Sequence, residues 1–226
     1  MWLALDTATD QASVALGLPG RVLARETIAG ARRHASGLLP AIERCLAEAG
    51  AGFAEIEGVV LADGPGSFTG LRVGASVAKA LIRVRPMPLW VAPSLLVCAA
   101  AGARVEGQTV LAASNALRGE LFIAAYRMHP GRVETVLAPS VLTPDQIPLR
   151  VVGGYQLVGP AAPVLGGQPT WPDAGVLLGL VGLAGGVQAV PDAADWEPEY
   201  GRPAEAQAKW ERDHGRPLAD PARANG

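Results

Sequence analysis

Cysteine is scarce in this chain: Cys45 and Cys98 are the only two, each inside an apolar run. Two thiols cannot build a four-cysteine zinc site, and their apolar settings predict buried free thiols. Lysine is equally scarce, Lys79 and Lys209 being the only examples. A net charge of -2 and a pI near 5.9 leave no electrostatic footprint for free nucleic acid. The apolar stretch Val176–Val190 is too short and too rich in glycine for a membrane span. The first residues enter a strand pattern directly, without the basic start of a signal peptide. These absences predict a cytoplasmic protein. What is present is globular: 226 residues, 50% hydrophobic and 18% charged, enough for one large domain or two small ones.

The chain opens with three strand patterns, Trp2–Asp6, Ala12–Gly17 and Val22–Thr27, separated by small turn residues. They predict an antiparallel meander. A helix follows over about Ala35–Ala49, where Leu38, Leu39, Ile42, Cys45 and Leu46 recur at helical spacing. Pro40 suits a first helical turn, which moves the expected start toward Leu39. Glu57–Leu61 reads as a buried parallel strand, Leu71–Val84 as a helix, Pro88–Val91 as a strand and Ser94–Ala101 as a helix. Three strands, helix, strand, helix, strand is one half of an α/β domain of the actin-like or RNase H-like type. Thr109–Ala113, Leu121–Tyr126 and Val133–Leu137 begin a second set of three strands, an echo that suggests a degenerate duplication. Further strands are expected at Val151–Leu157 and Val164–Leu165, and a helix over Val176–Val187. The expected division is a lobe over 1–102, a smaller degenerate lobe over 103–196, and a tail over 197–226. The tail is expected to hold a short helix at Ala204–Asp213 and to be disordered beyond Gly215.

The least ordinary stretch is Gly64-Pro65-Gly66-Ser67-Phe68-Thr69-Gly70-Leu71-Arg72-Val73-Gly74. Glycine and proline make a tight strand-to-helix turn, and Ser67 and Thr69 are good N-cap residues. Two readings compete. One is a phosphate cradle at a helix N-terminus, although no Gly-Lys-Ser/Thr follows as in a Walker loop and the dinucleotide spacing is absent. The other is a turn followed by a packing surface, since Gly70, Gly74 and Ala78 lie four apart on one helix face. A stripe of small residues lets a second helix approach closely.

This segment resembles the signature of the TsaB (YeaZ) family almost letter for letter. Leu5-Asp6-Thr7-Ala8-Thr9 with Ser13-Val14-Ala15-Leu16, His34 with Leu38-Leu39-Pro40, and Glu197-Pro-Glu-Tyr200-Gly-Arg-Pro203 resemble that family too. The resemblance covers most of residues 1–126 and returns near 200; residues 140–195 carry little of it. It implies an actin-like (ASKHA) two-lobed fold with a mixed sheet flanked by helices in each lobe. It also implies a role in threonylcarbamoyladenosine (t6A) formation at adenosine 37 of tRNAs reading ANN codons. In that role the chain is a non-catalytic scaffold that binds and stabilises the catalytic relative TsaD, with the ATPase TsaE joining the complex and tRNA met only through it. The implied docking face comprises Leu39, Ile42, Leu46, Gly70, Val73, Gly74, Val77 and Ala78, and the same surface can serve self-association. The signature loop is Gly64, Pro65, Gly66, Ser67, Phe68, Thr69, Gly70 and Arg72.

The chain departs from the family in two places. Where TsaD carries a His-x-x-x-His metal pair, this chain has Ser94-Leu-Leu-Val-Cys98. A hydroxyl and a buried thiol do not replace two imidazoles, so no metal, cofactor or catalytic residue is expected. Where relatives carry Asp-Ala-Arg before Arg-Gly-Glu, it has Asn115-Ala-Leu-Arg-Gly-Glu120. Three enzyme readings stand as alternatives: a metal-dependent glycoprotease-like hydrolase, an ASKHA phosphotransferase using Asp6 and Asp63, and an RNase H-like nuclease. The hydrolase lacks its metal ligands. The phosphotransferase has only those two candidate carboxylates in the first lobe, and the nuclease needs clustered acids where this chain scatters them.

Overall fold

The computed structural model describes residues 1–30, 33–201 and 214, apart from the side chains of 149, 150 and 152. The expected helix at 204–213 and the expected disorder beyond 215 lie outside the described residues.

Two sheets organise the chain. The first has strand order β10-β5-β4-β1-β2-β3. β1 (Trp2–Asp6), β2 (Gln11–Leu18) and β3 (Arg21–Ala29) form the antiparallel meander. β4 (Gly58–Ala62) runs parallel to β1, and β5 (Leu89–Ala92) parallel to β4. The crossovers are helical, as parallel pairing requires: α1 (His34–Glu48) before β4, α2 (Phe68–Val84) before β5, then α3 (Ser94–Gly102). The second sheet has order β8-β7-β6-β9, built from β6 (Thr109–Asn115), β7 (Leu121–His129), β8 (Arg132–Leu142) and β9 (Gln156–Val158). Its meander and its parallel fourth strand repeat the β3-β2-β1-β4 order of the first sheet. The fold is thus the actin-like, two-lobed one, with a reduced second lobe.

Side chains alternate along each strand, and the alternation sorts the core. Leu3, Leu5, Val14, Leu16, Val59 and Leu61 face α1 and α2. Ala4, Ala15, Val60, Ala62 and Ala92 face the other way, into a core shared with Val110, Ala112 and Tyr126 of the second sheet. Small residues on that face let α3 and α5 (Ala174–Leu180) fill the space between the lobes: α5 packs on β1–β4 and on α3, which packs on β6 and β7.

Several expectations change. Pro40 lies inside α1, not at its start. The helix begins at His34 although Pro40 withdraws one N–H in its second turn, because Leu38, Ala41, Ile42 and Cys45 bury on the sheet and tertiary packing outweighs the lost bond. Residues Leu149–Gly154 form a short helix, α4, and only Gln156–Val158 of that region pairs as a strand. Pro163 and the left-handed Gly166 make residues Ala162–Leu165 a 3-10 turn instead of a strand. The helix expected over 176–187 ends at Leu180, since glycines at 182, 185 and 186 bring turns in place of helix. Finally, α5 and β10 (Gln188–Val190), which the division at 102 assigns to the second lobe, return to the first; β10 pairs antiparallel with β5.

Candidate functional site

The Gly64–Gly70 turn sits where β4 delivers the chain to α2. Gly64 has a φ of 119°, open to glycine alone, and a Cβ there would stand 1.9 Å from the Glu199 carbonyl oxygen. Its backbone groups are already used. The Gly64 N–H donates to Ser94 Oγ at 2.9 Å, and the Ser94 N–H donates to the Gly64 carbonyl at 2.7 Å. The Ser67 N–H donates to the Ala8 carbonyl at 2.8 Å, and Ser67 Oγ caps α2 by accepting from the Gly70 N–H at 3.3 Å. The Glu199 N–H closes the ring on the Asp63 carbonyl at 2.8 Å. With the N–H groups of Gly64, Ser67 and Gly70 used inside the chain, this turn is a packed junction between β1, β4 and the segment at 199.

The small-residue stripe of α2 serves the same junction. Gly70, Gly74 and Ala78 are all buried. A Cβ on Gly70 would lie 2.1 Å from the Thr7 carbonyl oxygen, and one on Gly74 would lie 2.5 Å from Thr7 Oγ1 and 3.2 Å from Leu61 Cδ1. The glycines therefore bring α2 down onto the ends of β1 and β4, and the partner they admit is the chain's own sheet. This corrects the expected docking face at three positions. A fourth, Ile42, also turns inward, at 4% exposure. What faces outward is the opposite flank. Leu39 is 52% exposed, Phe68 is 40% exposed, and Val73, Val77 and Leu46 are half-buried. Ala35, Phe68, Thr69, Arg72, Val73, Ser76 and Val77 line a shallow groove there. The Arg72 guanidinium lies over the Phe68 ring, 5.5 Å from its centroid.

The segment after β10 straps this flank. Lys79 Nζ donates to the Ala194 carbonyl at 3.2 Å and to Glu197 Oε1 at 2.9 Å, and sits 5.9 Å from the Trp196 ring centroid. The Tyr200 ring meets Phe68 at 4.6 Å, and Tyr200 Oη donates to Glu197 Oε2 at 3.2 Å. Gly201 presses on Pro65 and on Phe122 of the second sheet, where a Cβ would come within 2.6 and 2.7 Å. Periodicity gave no sign of this strap; the only signal was the short family match at 197–203.

The positions weighed for chemistry are taken up by packing. Ser94 is buried on Gly64, and Cys98 is buried, with Sγ 3.6 Å from the Thr170 carbonyl and its thiol pushed up to about 12 by burial. Asp6 is fully buried; one oxygen accepts the Ala8 N–H at 3.1 Å, the local turn expected of a strand-end aspartate. Asp63 is half-buried, and burial pushes it up to about 6. His34 is buried, and desolvation holds it below its usual value against the pull of Asp10. His129 closes β7, with Nε2 3.1 Å from Glu134 Oε2. Among the described residues, no three His, Cys, Asp or Glu side chains converge as a metal site would require. Among them also, no helix is long and apolar enough to cross a membrane.

The family model of TsaD, tRNA N6-adenosine threonylcarbamoyltransferase, matches residues 22–158. The Escherichia coli (strain K12) tRNA threonylcarbamoyladenosine biosynthesis protein TsaB is 34% identical over 203 residues, covering 87% of this chain and 84% of that protein. The Haemophilus influenzae protein of the same name is 35% identical over 54% of this chain and 52% of its own. Among solved structures, YeaZ from Pseudomonas aeruginosa aligns with a TM-score of 0.74 at 27% identity, over 88% of this chain and 99% of that one. With that identity and coverage, and with the signature turn holding α2 against the first sheet, the chain belongs to the TsaB (YeaZ) family.

Proposed function

We propose that this chain is a non-catalytic subunit of t6A biosynthesis, needed for threonylcarbamoylation of adenosine 37 in tRNAs reading ANN codons. It binds and stabilises TsaD, with TsaE joining the pair, and meets tRNA only in that complex. The first lobe, 1–102, is the partner-binding lobe. The observation that carries this reading is the outer flank of α1 and α2, where Leu39, Phe68, Val73 and Val77 leave apolar surface beside a shallow groove while the signature glycines are spent inside. Paired helices of a like-built partner fit such a flank as a four-helix contact, and a second copy of this chain can use it in the same way. The catalytic reading draws no support from Asp6, Ser94 and Cys98, whose side chains are all buried.

The test is the Val73→Glu/Val77→Glu double variant. Both positions line the groove and are half-buried, packing on the edge of the core beneath it. Affinity for TsaD is expected to fall by at least tenfold, with loss of t6A in a strain that depends on this chain, while a Val73→Ala/Val77→Ala control, which loses the same packing on the core without adding charge, keeps most of its affinity. Unchanged affinity places the contact elsewhere.

A further inference from the structure

The space between the two lobes is mostly apolar, with a few polar groups buried in it. Asp6 follows Ala4 on the same face of β1, so its carboxyl points toward α5 and α3, the layer that fills the seam between the sheets. It is fully buried. Oδ1 accepts from Ala8, and Oδ2 has no hydrogen-bond partner. The groups that face it are Asp173, the N-cap of α5, and the Cys98 thiol of α3. Asp173 is itself held by Arg25, at 3.1 Å. Across the same seam, the hydroxyl of buried Tyr126 on β7 also lacks a partner, and Asp63, at the end of β4, faces it and Glu199. Among the described residues, no cation pairs with Asp6 or Asp63.

An ionised Asp6 would be buried away from bulk solvent with no protein counter-charge beside it among the described residues, and the cost of burying such a charge is relieved by protonation or by opening. We infer that the interlobe seam is a proton-dependent clasp, closed while the Asp6 carboxyl is neutral and loosened when it ionises. The direction agrees with its surroundings. Burial raises Asp6 to about 7, Asp173 adds to the rise, and the Ala8 hydrogen bond opposes it. Because the folded value lies above the unfolded one, the stabilisation is complete below about pH 4. It is lost as pH rises through 7. The clasp is a property of the isolated chain and stands apart from the docking flank.

The test uses the full chain without partners. Carbon-13 carboxyl spectra of the wild type should show Asp6 titrating near neutrality, and amide exchange at Val110, Ala112 and Tyr126 should rise between pH 5.5 and 8 beyond the intrinsic base-catalysed rate. Over that range the wild-type Tm should drop by roughly 5 °C relative to Asp6→Asn, whose profile is flatter. Titration of Asp6 near 4, or parallel melting profiles for the two proteins, overturns the clasp. Should Asp6→Asn fail to fold, the wild-type titration decides alone.

Discussion

Glycine at 70 and 74 is a steric requirement of the α2–β1 contact. The Thr7 carbonyl occupies the space a Cβ would take at Gly70, and Thr7 Oγ1 does so at Gly74. Gly70→Ala is therefore expected to lower the unfolding free energy by about 2–3 kcal/mol in chemical denaturation, because backbone atoms cannot yield to the new methyl. Ser76→Ala, one turn away on the exposed face, should change it by less than about 0.5 kcal/mol. The spacing of 70, 74 and 78 was legible as a close-packing stripe. What packs there was not, since a stripe of small residues admits a foreign helix and the chain's own sheet equally well. The same limit applied to Ile42, whose apolar character fits a core or an interface.

At the scale of elements, strands and long helices followed from local pattern, and short ones did not. The meander, α1 and α2 carry alternation or helical spacing across whole segments, and β4, β5 and α3 are apolar runs bounded by turn residues. α4, β9 and β10 span six, three and three residues, too few for a period to establish itself. The strap from 192 to 201 has no period at all and is held by contacts distant in sequence. Lys79 anchors it, through an exposed pair with Glu197 and the face of Trp196. Lys79→Ala should cost only about 1 kcal/mol, because solvent screens the ion pair, and should shift the Trp196 fluorescence. Tyr200→Ala removes the ring on Phe68. It should speed amide exchange at Ser67 and Gly70 while leaving β6 and β7 protected.

For the whole molecule, buried carboxyls set the pH response. Desolvation raises Asp63 to about 6, opposed by its hydrogen bond to its own backbone N–H and reinforced by Glu199. A folded value above the unfolded one means stability present below about pH 4 that is lost as pH rises through 6. Asp63→Asn should therefore flatten the melting profile between pH 4 and 6, measured by calorimetry, and leave its shape above pH 7 unchanged. The exposed Glu57, Glu134 and Glu197, all held low by cationic partners, act in the opposite sense and only at acid pH. Sequence by itself determined the two strand-rich halves, the strand-to-helix turn at 64–70 and the likeness to a family, because each rests on residues adjacent in the chain. Tertiary structure alone decided that the glycine stripe faces inward, that α5 and β10 return to the first lobe, and that Asp6 ends in a buried seam. Those outcomes depend on which surfaces meet after the chain has crossed between two sheets, and no local period encodes that meeting.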